Sequence, residues 1–135
     1  MDILFRIHSE LRWLIVLVGV VALVKFLIGW LGKGKFQSFD RILTSAFSGL
    51  VDLQVLLGLI FLIWSGIAGA GFPGYRLEHA FTMIIAAVVA HLPSRWKGLG
   101  DTKRFRNSFL AFLVVGVLIF MGVALLPGGM VRWHF

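Results

Sequence analysis

Cysteine is absent from this chain of 135 residues. Disulfides, thiolate nucleophiles, iron–sulfur clusters and Cys-based zinc sites are therefore excluded, and any cofactor must be held by His, Met, carboxylate or backbone. Charge is scarce too: 14% of residues are Asp, Glu, Lys or Arg, with 6 acidic against 13 basic. With 59% hydrophobic residues and a mean hydropathy of +0.96, the chain cannot hide its apolar surface in one small globule. It reads as an integral membrane protein. No nucleophile–base arrangement, His-x-x-x-His spacing or phosphate loop is present, which argues against a hydrolase. No pair of interrupted apolar segments marks a transport path.

What the chain does contain is four apolar runs, near 11–31, 43–66, 75–92 and 108–126. Each has the roughly 20 residues that a hydrocarbon core of about 30 Å requires of a helix. Lipid leaves backbone groups no outside partner, and the alternation of a β-barrel is missing, so the spans are expected to be helical. The fold expected is all-α, a single domain over 1–135 built as an antiparallel four-helix bundle with short connections. The leading charges of the first run, Asp2, Arg6, Glu10 and Arg12, nearly cancel, and no small-residue cleavage site follows; it is read as a permanent helix.

The net charge of +7 sits at the ends of the runs rather than along one face, so it signals topology and not nucleic-acid binding. Lys33, Lys35 and Arg41 separate runs one and two; Arg95, Lys97, Lys103, Arg104 and Arg106 separate three and four. The N-terminus, the second connection and the C-terminus offer only Arg6, Arg76 and Arg132. The excess of Lys and Arg puts the two basic loops in the cytoplasm and both termini on the non-cytoplasmic side.

Ionisable residues at membrane depth are costly unless they find partners, so they are the natural site candidates. Helix ends drawn from the apolar runs bring Lys25 and Asp52 within about 4–5 Å of the same depth, and a Lys25–Asp52 pair is expected there, fixing helix register or marking a proton or quinone site. At the outer side His8 and Arg12 share a helix face, and Glu78 and His79 open the third helix, where Glu78 suits the helix dipole and is placed to meet Arg12. His91 follows His79 by twelve positions, about 18 Å along the axis, so one metal cannot take both. His91 is expected at the cytoplasmic lip without a second ligand, and His134 in solvent.

Haem is the cofactor a Cys-free helical bundle holds most readily, through axial His from facing helices. The best pair is His8 with His79, with Arg12 near a propionate. With the first helix drawn from 11 the two are offset by roughly 9 Å, a gap that an earlier start through "ILF" at 3–5 would reduce.

Four segments, "HSELRWLIVL" (8–17), "GWLGKGKFQSFDR" (29–41), "DLQVLLGLIF" (52–61) and "LEHAFTMIIAAVVAH" (77–91), resemble a group of small bacterial four-helix membrane proteins labelled cytochrome b-like. The resemblance implies haem b, quinone or both, membrane electron transfer and a bacterial inner-membrane location. It implies His8, Arg12, Glu78, His79 and His91 as site positions. Where such relatives often carry His in the second helix, this chain has Asp52. Expected partners are the lipid bilayer and an electron-transfer complex or a second copy. The competing expectation is a non-catalytic accessory subunit of a larger respiratory or photosynthetic complex that binds lipid, quinone or pigment.

Overall fold

A computed structural model describes residues 2–133, which leaves His134 outside the described residues. Four α-helices carry the chain: α1 Asp2–Leu31, α2 Ser38–Ser65, α3 Gly74–Ala90 and α4 Asp101–Ala124. A π-helical turn, Gly66–Ala70, follows α2, and short 3-10 turns occupy Leu92–Trp96 and Gly129–Trp133. No strand occurs among the described residues, and all four helices are long and apolar enough to cross a membrane.

Three helices begin earlier than their apolar runs. α1 starts at Asp2 rather than near 11, α2 at Ser38 rather than near 43, and α4 at Asp101 rather than near 108. Hydropathy marks only the part of a helix that hydrocarbon solvates, whereas polar end turns continue as helix wherever their backbone and side chains are satisfied. At α2 the device is visible: Asp40 Oδ2 accepts the backbone N–H of Gln37 at 2.9 Å, satisfying a donor at the helix start. α3 stops early because Pro93 follows, and the chain passes into the Leu92–Trp96 turn with that proline buried.

The helices contact one another in a ring, α1 against α2 and α4, and α3 against the same two. Half of the interior is filled by phenylalanine. Phe26, Phe36, Phe47, Phe105 and Phe112 are buried, with ring centroids 4.9 Å apart for Phe36–Phe105 and 4.4 Å for Phe47–Phe112. Gly29 gives Phe105 its place, since a Cβ there would lie 2.5 Å from the ring. The exterior is the reverse of a soluble bundle: Leu17, Val20, Val24 and Ile28 on α1, and Leu56, Ile63 and Val88 elsewhere, all point outward. Such a surface is what a bilayer solvates.

The expected Lys25–Asp52 pair does not form. Lys25 Nζ instead donates to Asp40 Oδ1 at 2.8 Å, and Asp40 is fully buried while Lys25 remains about one-third exposed. The reason is the true start of α2. Five extra residues bring Asp40 into the first turn at the level of Lys25, and carry Asp52 to the middle of the helix. Asp40 thus caps α2, complements its dipole and ties it to α1 at once. Asp40→Ala is expected to lower the unfolding free energy by about 2–3 kcal/mol, from a lost cap and a half-buried charged hydrogen bond. Thermal or denaturant unfolding in detergent, followed by circular dichroism, checks this.

Candidate functional site

The end of the molecule away from the phenylalanine cluster is hollow. A cavity of about 330 Å³ opens among the beginning of α1, the end of α2, the beginning of α3 and the end of α4. That volume lies at the small end of the range for ligand pockets. Val51, Val55, Leu59, Ile119 and Val123 supply apolar wall, and His8, Arg12, Gln54, Arg76, His79 and Arg132 supply polar groups. No Asp or Glu lines it.

His8 reaches this space because α1 extends outward to Asp2. Its ring lies against Gly58 of α2, where a Cβ would come 2.8 Å from Cε1, so a larger residue at 58 would displace the imidazole. Gln54 Nε2 donates to the His8 carbonyl at 2.6 Å and joins the two helices at that level. His8 Nδ1 is buried without a hydrogen-bond partner. A buried polar atom of this kind calls for an explanation, because leaving it unmatched costs free energy.

His79 is held differently. Its Nδ1 lies 3.0 Å from the carbonyl oxygen of Gly122, one of the last four residues of α4. Carbonyls there have no intrahelical partner, so the imidazole satisfies one of them. A carbonyl only accepts, which makes Nδ1 the protonated nitrogen and leaves Nε2 with its lone pair. Gly122 also lets α3 approach closely, since a Cβ at this position would collide with Met83. His8 from α1 and His79 from α3 thus line the same cavity.

Three guanidinium groups surround the pair, and each is fixed by neutral oxygen. Arg12 Nη2 donates to the carbonyl of Arg132 at 2.6 Å and lies over the rings of Trp13 and Trp133. Arg76 Nη1 donates to the Gly71 carbonyl at 2.7 Å and Nη2 to the Ser65 hydroxyl, whose own proton goes to the Phe61 carbonyl. Arg132 Nε donates to the Pro127 carbonyl at 2.6 Å. These bonds orient the cations without neutralising them. Arg12 Nε and Gln54 Oε1 are further buried atoms lacking partners. The cavity therefore combines apolar wall, positive charge and unsatisfied hydrogen-bonding groups, a fit for an apolar ligand that carries anionic groups.

Of the residues singled out from sequence, His8, Arg12 and His79 meet here. Glu78 does not: it is exposed, is absent from the lining, and Arg12 is engaged by Arg132 and two indole rings instead. One position along a helix turns a side chain by about 100°, so Glu78 faces outward where His79 faces in. Asp52 and His91 lie elsewhere, bonded to each other at 2.7 Å, and Lys25 belongs to Asp40. The expectation that His91 has no second group beside it is thus corrected, because the short α3 ends at Ala90, opposite the middle of α2 where Asp52 stands. Sequence reading gave Arg76 and Arg132 no role beyond topology. Arg76 carries a signal, standing three residues before His79 on one helix face. Arg132 carries none, since only the turn after Pro127 brings it back over the cavity.

No family model, curated protein or solved structure matches the chain.

Proposed function

We propose that this protein is a membrane cytochrome that holds haem b in the cavity between His8 and His79. The observation that carries this reading is the convergence of two imidazoles from different helices on one cavity lined by three arginines and no carboxylate. His79 is the better-prepared ligand, because the Gly122 carbonyl fixes its tautomer and leaves Nε2 free to bind iron, an outer hydrogen bond of the kind that orients metal-ligating His. His8, from α1, would supply a second imidazole. Arg12, Arg76 and Arg132 supply cations for two propionates, and Val51, Val55, Leu59 and Ile119 supply the apolar slot for the macrocycle. When bound, haem would supply one-electron redox chemistry at this cavity. The residues of the chain bind, orient and neutralise; among the described residues no group of three His, Cys, Asp or Glu suggests another metal centre.

The arrangement in the membrane is part of the same reading. The helices run antiparallel, as supported by the pairings His8 with Gly58 and Lys25 with Asp40 between α1 and α2. The basic loops face the cytoplasm of a bacterial cell, both termini face outward, and the cavity opens to the outer side, as the distribution of Lys and Arg supports.

Titrating the purified haem-free protein with haemin tests the cofactor assignment. A Soret band is expected to grow to one haem per chain, with affinity reduced more than a hundredfold in His79→Ala and about tenfold in Arg132→Met or Arg76→Met, the loss of one charge-assisted contact each. Absence of saturable binding, or binding indifferent to His79→Ala, would refute it. For orientation, alkaline phosphatase fused to the C-terminus is expected to be active and a green fluorescent protein fused there dark; the reverse pattern contradicts the topology.

A further inference from the structure

We infer that Asp52 and His91 form a second site, on the outward-facing seam of α2 and α3, that binds the carbonyl head group of a quinone entering from the bilayer. His91 Nε2 and Asp52 Oδ2 are 2.7 Å apart, yet their side chains are 52% and 48% exposed. The pair is therefore open to whatever surrounds the helices. On α2, Asp52 lies near the middle of Ser38–Ser65, roughly 20 Å along the axis from either end. Leu53 and Leu56 beside it are exposed, as are Val88 and Leu92 next to His91. In a membrane these side chains meet acyl chains, so the ligand that reaches the pair must itself dissolve in the bilayer.

Space is available beside the carboxylate. One turn before Asp52 on the same face stands Gly49, where an added Cβ would meet nothing within 4 Å. The α2–α3 seam is also the loosest of the four helix contacts. A flat head group can lie there without displacing a packed side chain.

Chemistry narrows the ligand. With Nε2 donating to Asp52, the other ring nitrogen of His91 and the second oxygen of Asp52 have no hydrogen-bond partner among the described residues. When His91 carries two protons, Nδ1–H donates, which suits a quinone carbonyl; when it carries one, Nδ1 accepts, which suits a quinol hydroxyl. The pair thus matches both forms of a carrier whose oxygen alternates between C=O and O–H. A phospholipid phosphate or fatty-acid carboxylate is disfavoured, since Asp52 already presents negative charge. Ionisable groups placed on a hydrocarbon-facing surface are expensive, and a ligand that hydrogen-bonds to them offsets part of that cost. The inference stands on the seam alone and does not require haem in the cavity.

The test uses the full chain in quinone-free nanodiscs, titrated with decylubiquinone and followed by infrared difference spectroscopy of its carbonyl bands. Saturable binding is expected, with at least one carbonyl band moved to lower wavenumber by the hydrogen bond. The double variant Asp52→Leu/His91→Leu is expected to fold, because leucine suits a lipid-facing position, and to bind at least tenfold more weakly with the shifted band lost. Should it not fold, an azido-quinone photolabel on the wild-type chain decides. Crosslinks at Gly49, Asp52, Leu53, Leu56 or within residues 84–92 support the site, and crosslinks confined to the residues lining the His8–His79 cavity overturn it. Unchanged affinity in the double variant overturns it, as does equally tight competition by a long-chain alcohol. Binding abolished by His79→Ala but not by the double variant would move the quinone to the cavity and leave the haem assignment to its own titration.

Discussion

Hydrocarbon gives a polar side chain nothing to bond to, so every charge carried into these helices has to be matched by the protein or by something the protein binds. The chain meets this constraint in three ways. Lys25 and Asp40 match one another, with Asp40 fully buried and also capping α2. Asp52 and His91 match one another but remain half-open on the outer seam. Arg12, Arg76 and Arg132 are steadied by carbonyls, a hydroxyl and indole rings, none of which removes their charge. The degree of matching thus falls from a structural lock, through a paired but accessible site, to a cavity lined by positive charge and by no carboxylate.

Packing divides the molecule along the same line. Where Phe26, Phe36, Phe105 and Phe112 meet, the interior is solid, and Gly29 is spent on accommodating a ring. Toward the other end the facing residues are Val51, Val55, Gly58 and Val123, too small to close the space among four helices. Glycine there serves a different purpose. Gly58 makes room for the His8 imidazole, and Gly122 both admits α3 and offers the carbonyl that orients His79. Close packing in one half holds the helices at the spacing that leaves the other half open.

The existence of the four helices was legible because about twenty apolar residues in a row have few alternatives in lipid. Their ends were not. Residues 2–10, 38–42 and 101–107 are helical yet carry charge, so a hydropathy criterion cuts them off. Depth estimates inherit that error, which is why they match Lys25 with Asp52 although Asp40 is the residue at its level. The same early start of α1 brings His8 to the cavity with His79. Capping chemistry held the missing information at α2, in Gln37 followed three residues later by Asp40. Arg132 was beyond reach of any local pattern, because its place depends on how Gly128–Gly129 turn, both with positive φ, and a turn sets direction only once the helices it joins are packed.

Two imidazoles on one cavity, one with its tautomer fixed and the other with a buried nitrogen lacking a partner, form the centre of the functional reading. The arginines suit an anionic periphery, the apolar walls suit a flat ring system, and the chain has no cysteine to ligate through sulfur. What distinguishes this reading from a general amphiphile pocket is the identity of the axial ligands. Near-infrared magnetic circular dichroism of the oxidised, haem-loaded protein reports those ligands directly. Low-spin ferric iron with the charge-transfer band of two imidazoles is the predicted result; a high-spin spectrum, or a low-spin band of any other ligand pair, would contradict it.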